Sequence, residues 1–278
     1  MPSDIFSPNY ITAIATVVLV IITAYYAWQN RKYVKLIEED RRRQQIEQLI
    51  NCFLYLLLHN LEEDLKKLSG SKFITSIRKK TKKLPEISLD IGRISGLFET
   101  HEYNTYKFLI PQNYRSKIEN FREEYLNSIE ALRRQIREVA ENIPENFVEK
   151  VSNLINEFKK KYEIPGHGND KMEDAYYFLE LIIEGGEEIE GTENLKKFIV
   201  APDNLEKFWE LNKEKIRLEL FKDEKIKEKI EEIWKKKQAV IKIAKDYREI
   251  VNELINKWVK DYGVILSPPS FHSVIRGL

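Results

Sequence analysis

The sequence is poor in the residues from which metal sites and covalent cross-links are built. Cys52 is the only cysteine, so no disulfide can form within the chain and a structural zinc site lacks sulfur ligands. A ferritin-like dimetal centre needs a Glu-x-x-His spacing on each of two helices. No histidine has a glutamate three residues before it; the four are His59, His101, His167 and His272. The sequence therefore predicts neither a metal nor a cofactor.

The sequence also lacks an excess of charge of either sign. Lys and Arg number 46 and Asp and Glu number 45, so the net charge is +1 although 33% of the residues are charged. A general polyanion binder carries a basic excess, so this balance makes nucleic acid an unexpected partner. Balanced charges are typical of solvated helix faces with opposite charges at i,i+4. The abundance of Lys, Glu and Ile, with only 2 Met, resembles the composition of thermophile proteins.

Residues 10–28 contain no charged residue, glycine or proline. At about 1.5 Å per residue, such a run is long enough to cross a hydrocarbon core of about 30 Å. Aromatic residues, which gather at membrane interfaces, lie at both ends: Tyr10, and then Tyr25, Tyr26 and Trp28. The alternatives are a buried core helix and a cleaved signal peptide, but the latter needs a basic segment ahead of the apolar run. We predict a short external N-terminus over residues 1–9 and a transmembrane helix over residues 10–29.

Basic residues crowd only one end of this predicted span. No basic side chain precedes it, whereas six follow it closely: Arg31, Lys32, Lys35, Arg41, Arg42 and Arg43. Cytoplasmic flanks of membrane helices carry such an excess. The sequence thus predicts a single-pass protein of the cell membrane with its N-terminus outside and its C-terminal domain in the cytoplasm.

The span and the segment after it, AYYAWQNRKYVKLIEEDRRRQQIEQL, resemble a group of uncharacterised single-span microbial membrane proteins. Some proteins of that group are labelled putative phage abortive-infection proteins. The resemblance covers about residues 8–50 and implies an N-terminal anchor followed by a charged helical stalk. It carries no catalytic residue over to this chain.

No proline or glycine falls between Asn9 and Leu68, so the span is expected to continue as one helix. We predict a juxtamembrane stalk over residues 30–68, a helical domain over residues 69–262 and a flexible tail over residues 263–278. The second half of the stalk carries apolar residues at spacings of three and four, which must be buried somewhere: Ile50, Leu54, Leu57, Leu61, Leu65 and Leu68.

The predicted domain is all-α. Amphipathic helical patterns follow Pro111 and Pro144, and a last long helix begins near Asp223. That helix has a heptad row, which is typical of a bundle seam or a coiled coil: Ile226, Ile233, Val240, Tyr247 and Leu254, with Lys237 as a polar exception in the companion row. A short basic helix is expected from Phe73 to Lys83, and no strand is predicted. The fold class is therefore all-α, with a transmembrane helix, a stalk and a cytoplasmic antiparallel helical bundle.

The loop of residues 166–170 is the most enzyme-like segment. Two glycines flank His167, and Asp170 follows at the start of the next helix. His167 and Asp170 are candidate catalytic residues, as a general base or as metal ligands. The alternative is a tight turn in which Asn169 or Asp170 caps that helix.

A basic run is the strongest charge feature of the chain. Its cations are candidate contacts for an anionic partner: Arg78, Lys79, Lys80, Lys82 and Lys83. They could bind anionic lipid headgroups or nucleic acid, or simply form a solvated face. No aromatic residues are interleaved for base stacking, which again disfavours nucleic acid.

These features predict a non-enzymatic role. The chain would be a membrane-anchored helical interaction or scaffolding protein, held by membrane lipid through its span, that binds a protein partner or self-associates through its stalk. The alternative is a membrane-tethered enzyme or phage-defence effector that uses the His167 loop.

Overall fold

A computed structural model describes residues 8–70, 73–79, 82–89, 91–162, 171–185 and 202–264. The fold is all-α, as predicted, with one long apolar helix at the N-terminus and a helical region after it. The helices are α1 (Pro8–Leu49), α2 (Tyr55–Ser69), α3 (Ile91–Leu97), α4 (His101–Tyr106), α5 (Gln112–Glu141), α6 (Glu145–Lys161), α7 (Lys171–Gly185), α8 (Pro202–Leu220) and α9 (Glu224–Tyr262). A 3-10 turn (Lys107–Leu109) follows α4, and a hairpin of two short strands lies between α2 and α3.

Helices α1 and α2 form one uninterrupted helix, as the absence of glycine and proline predicted. A single π-helical turn (Ile50–Leu54) joins them, and the backbone stays helical on both sides of it. The helix ends at Gly70, whose backbone is extended. The predicted apolar stripe of the second half is buried in the core of the domain, together with Ile46, Leu49 and Phe53. The helical domain therefore draws its core from residues on both sides of Ser69, and only the part of the predicted stalk before Ile46 projects from it.

Helices α5 and α9 pack side by side along most of their length, and they run antiparallel. Near one end the Tyr247 hydroxyl donates a hydrogen bond to the Ile118 carbonyl (3.1 Å), and near the other Lys229 contacts Glu138 (3.4 Å). Seven apolar residues on one face of the amphipathic helix predicted after Pro111 are buried in α5: Ile118, Phe121, Tyr125, Ile129, Leu132, Ile136 and Val139. The heptad row of α9 is buried as well. These contacts show that α5 and α9 are antiparallel neighbours.

The basic helix expected from Phe73 to Lys83 is wrong. The chain instead forms strands β1 (Ile74–Lys79) and β2 (Lys82–Ile87), which pair antiparallel with Ile74 opposite Ile87. β-branched residues favour strands. Ile74 and Ile87, at the open end of the hairpin, are both buried against the helices. This tertiary burial stabilises the strands, and local helix propensity does not predict it.

Candidate functional site

The first half of α1 is a charge-free helix that nothing in the described part of the chain covers. Its large apolar side chains from Ile11 to Ile22 are between 46% and 64% exposed. The hydroxyls of Thr16 and Thr23 donate hydrogen bonds to the carbonyls of Thr12 and Leu19 (2.8 and 2.7 Å), so both are satisfied within the helix. Such a helix suits a medium that offers no hydrogen bonds. By length and composition it can cross a membrane.

The two candidate catalytic residues, His167 and Asp170, lie outside the described residues. Within the described ranges, no group of three or more His, Cys, Asp or Glu side chains could hold a metal ion. Four of the five candidate contacts for an anionic partner lie on the described strands of the hairpin: Arg78, Lys79, Lys82 and Lys83.

The base of the hairpin is fixed to three helices. The Ile74 N–H donates a hydrogen bond to the Glu184 carboxylate at the end of α7 (2.9 Å). Ser88 directly follows β2, and its carbonyl accepts a hydrogen bond from the Lys67 ammonium of α2 (3.3 Å). Phe73, just before β1, is fully buried beside Lys237 of α9. The hairpin therefore begins and ends at defined positions.

Lys237 is a buried cation at this base. Its ammonium donates to the Glu184 carbonyl in the last turn of α7 (3.0 Å), where the negative end of the helix dipole favours a cation. It also lies 4.4 Å from the centroid of the Phe73 ring, within the range of a cation–π contact. Burial lowers the pKa of Lys237, and the charge of Glu184 partly opposes that shift. Lys237 and Glu184 thus join α7, α9 and the hairpin in one buried polar cluster.

The sequence held one signal for this cluster, because Lys237 is the polar exception in an apolar row of α9. It held none for Glu184, which looks like one more acidic residue beside the Gly185-Gly186 pair. The tertiary contacts with Ile74, 110 residues earlier in the chain, and with Lys237 give Glu184 its role.

Replacing Glu184 by Ala is expected to lower the free energy of unfolding by about 3 kcal/mol, because the buried Ile74 N–H loses its acceptor and the buried Lys237 ammonium loses the nearby negative charge, although it keeps its hydrogen bond to the backbone carbonyl of residue 184. Lys237→Met should lower it by less than Glu184→Ala does, since the apolar side chain needs no partner and the Glu184 carboxylate still accepts from the Ile74 N–H. In the double variant part of the Glu184→Ala loss should return. Urea titrations with the exposed Glu62→Ala as control check this, and equal losses for Glu184→Ala and Glu62→Ala would contradict it.

The basic run occupies the far end of the hairpin. Arg78 is the cross-strand partner of Lys83, and Lys79 is the partner of Lys82, while Lys80 lies outside the described residues. Like charges directly opposite each other destabilise a strand pair. A bound anionic group would relieve that repulsion, which keeps the run a candidate contact for an anionic partner.

The hairpin lies far along the molecule from the charge-free run. The helix from Asn30 to Leu68, which reaches the base of the hairpin, is 39 residues long and measures roughly 55 Å at 1.5 Å per residue. Electrostatic attraction to an anionic surface fades within about 10 Å at physiological salt. A lipid surface at the end of that run would therefore lie out of range of the hairpin base when the helix stands upright.

Comparisons with protein-family models, with curated proteins and with solved structures found no match to this chain.

Proposed function

We propose that this chain is a single-pass membrane protein that presents a helical domain to a protein partner at the cytoplasmic face of the membrane. One observation carries the proposal: a single uninterrupted helix passes from an exposed charge-free run into the buried core of the domain. A helix that is apolar on every side needs an apolar surrounding. The rest of the described chain does not supply it, because no residue of that run is buried.

The orientation follows from the charges at the two ends of the run. Six basic residues lie on α1 between Arg31 and Arg43, and none precedes the run. The excess favours retention of that end in the cytoplasm, so the domain would lie inside and the N-terminus outside.

A continuous helix would also hold the domain at a fixed distance from the membrane surface. The segment of α1 from Asn30 to Ile46, where burial begins, is 17 residues long and measures roughly 25 Å. The hairpin end, with Arg78, Lys79, Lys82 and Lys83, would be presented further away and would suit an acidic segment of a partner protein. Nucleic acid remains unexpected as a partner, because the net charge of the chain is only +1. The alternative of a tethered enzyme rests on the sequence of the His167 loop alone.

Fractionation and topology mapping test the proposal. The full chain should remain in membranes after alkaline carbonate extraction, and a reporter fused after Leu278 should be active only in the cytoplasm. External protease should leave the domain intact in whole cells. Release of the chain by carbonate would overturn the membrane span, and external cleavage of the domain would overturn its orientation.

A further inference from the structure

Helix α1 carries a second exposed apolar face just beyond the charge-free run. Four large side chains form it, with exposed fractions of 61%, 53%, 50% and 65%: Tyr33, Val34, Leu36 and Ile37. Residues three and four positions apart share one side of a helix, so Tyr33, Leu36 and Ile37 lie together with Val34 at their edge. The opposite side is charged throughout: Arg31, Lys32, Lys35, Glu38 and Glu39.

This face points away from the domain. Ile37 and Ile46 are nine residues apart, which is about two and a half turns at 3.6 residues per turn, so they lie on opposite sides of α1. Tyr33 and Leu49 are sixteen residues apart, or about 4.4 turns, and are also nearly opposed. Ile46 and Leu49 are buried against the domain, so the domain sits on the side of α1 opposite to Tyr33 and Ile37.

Lipid hydrocarbon does not cover the face either when α1 stands upright. The charge-free run from Tyr10 to Asn30 already spans about 30 Å, the full thickness of a hydrocarbon core. Ile37 lies roughly 10 Å further along the helix, beyond Arg31 and Lys32. The face therefore stands at or past the headgroups, with no cover from its own chain in the described part.

We propose that a second copy of this chain covers this face, so that two α1 helices pair in parallel. The proposal rests on the proposed function, because the membrane span gives both copies the same direction and depth. Identical residues then meet at the same height, and the two domains lie on the outer sides of the pair, where they do not collide. For a partner other than a second copy, no feature of this chain sets the direction and depth at which the partner would meet this face.

The spacing of residues along α1 suits such a pair. Tyr26, Asn30, Tyr33 and Ile37 follow one another at intervals of four, three and four residues, which is the seam spacing of a coiled coil. A single Asn in such a seam fixes a parallel register. Asp40, three residues after Ile37, would meet its own copy with like charge, so the seam ends there and the helices separate towards their domains.

Disulfide cross-linking of the full chain in native membranes tests the pair. Each variant carries one new cysteine, and Cys52 is replaced by Ser so that the new thiol is the only one that can cross-link. Burial raises the pKa of the Cys52 thiol, which slows its oxidation, so Cys52 is expected to contribute little to cross-linking even when present. Oxidation should give at least about fivefold more dimer for Ile37→Cys than for Lys35→Cys on the opposite side, because Cα atoms more than about 7 Å apart cannot be bridged. Tyr33→Cys should behave as Ile37→Cys does.

A charge placed in the seam supplies an independent measurement. Adding Ile37→Glu to Tyr33→Cys should reduce the amount of cross-linked dimer at least about fivefold. Two carboxylates would then face each other in the seam, and a charged residue at a seam position weakens the pairing of the helices. The matched variant Lys35→Glu should leave the Tyr33→Cys cross-link unchanged.

The outcomes separate this inference from the proposed function. Equal cross-linking at Lys35→Cys and Ile37→Cys, or none at either, in carbonate-washed membranes overturns the pair and leaves the membrane span standing. Protection of Ile37→Cys from a water-soluble maleimide without any cross-link also overturns it, because lipid or a different protein then covers the face. Loss of the chain from washed membranes overturns the proposed function itself.

Discussion

A chain shortened to begin at Asp40 will fold into a soluble helical protein, whereas a chain shortened to begin at Gly70 will not reach the native fold. The first keeps every buried residue of α1 and α2, as well as the contact of the Arg42 guanidinium with the Tyr262 ring (5.4 Å). It loses only the exposed charge-free run and the apolar face that follows it. The second loses one wall of the core.

The size of that wall decides the outcome. Ten buried apolar side chains lie between residues 46 and 68: Ile46, Leu49, Ile50, Phe53, Leu54, Leu57, Leu58, Leu61, Leu65 and Leu68. Each contributes about 1.5–3 kcal/mol when fully buried, so together they contribute on the order of 15 kcal/mol or more. A folded domain is stable by only about 5–15 kcal/mol in total, so the remaining helices cannot hold the native packing without them.

Circular dichroism and thermal unfolding measure the difference. The chain from Asp40 should melt in one cooperative transition, and the chain from Gly70 should show no such transition. A chain from Asp40 that carries both Leu54→Asp and Leu61→Asp should behave like the chain from Gly70, which separates loss of burial from loss of length. Cooperative melting of the chain from Gly70 at the same temperature would mean that the domain is independent of α2.

The long helices could be predicted from the sequence because local patterns along the chain determine them. The absence of glycine and proline predicted one helix from the charge-free run to Ser69, and apolar spacing predicted the buried faces of α5 and α9. For the apolar stripe from Ile50 to Leu68, the sequence predicted burial but not the residues that bury it, and it did not predict the burial of Ile46 and Leu49. The residues that bury this stripe belong to helices distant in the sequence, and local patterns do not show which helices pack together.

The hairpin and its buried cluster could not be predicted for the same reason. In the segment from Phe73 to Ile87, apolar residues and cations alternate too irregularly for either period to dominate, and Pro85 disfavours both a helix interior and a central strand. The strand pairing becomes favourable because Ile74 and Ile87 are buried together and Glu184 accepts from the Ile74 N–H. Those partners come from α7, far away in the sequence.

A second buried polar contact joins α2 to α5. The Tyr125 hydroxyl donates to the Asp64 carboxylate (2.8 Å), and both side chains are buried. Burial is the main cause that raises the pKa of Tyr125, and the charge of Asp64 adds to it. Tyr103 donates similarly to Glu119 (3.1 Å), and its pKa is raised by burial and by that carboxylate. The core therefore holds several phenols that resist ionisation.

Two more buried tyrosines behave in the same way. Burial raises the pKa of Tyr247, whose hydroxyl donates to the Ile118 carbonyl between α9 and α5. Burial also raises the pKa of Tyr177 on α7, with Glu180 as the next cause. In the unfolded chain each of these phenols would ionise with a pKa near 10. In the folded chain all four stay protonated above that pH.

We therefore expect the protein to unfold sharply as the pH rises above 10. A phenol with a raised folded pKa contributes stability that is complete below the unfolded pKa and is lost as the pH rises towards the folded pKa, because the unfolded state then releases the proton. Each such tyrosine removes up to about 1.4 kcal/mol per pH unit once its unfolded form is fully ionised. Between pH 10 and 11 each removes about 1 kcal/mol, so Tyr103, Tyr125, Tyr177 and Tyr247 together remove roughly 4 kcal/mol. That loss is comparable with the whole stability of a domain.

Denaturant titrations of the chain from Asp40 between pH 8 and 11 measure this slope. Lys237 acts in the opposite direction: its pKa is lowered by burial, so its contribution rises with pH up to its unfolded pKa. The titrations are therefore made in the Lys237→Met background. Tyr125→Phe and Tyr247→Phe should each reduce the slope above pH 10 by about 1 kcal/mol per pH unit, although each lowers stability at pH 8 by removing a hydrogen bond. A free energy of unfolding that stays flat to pH 11, or tyrosinate absorbance that rises from these residues before the helices melt, would show that the four phenols are open to solvent in the native state.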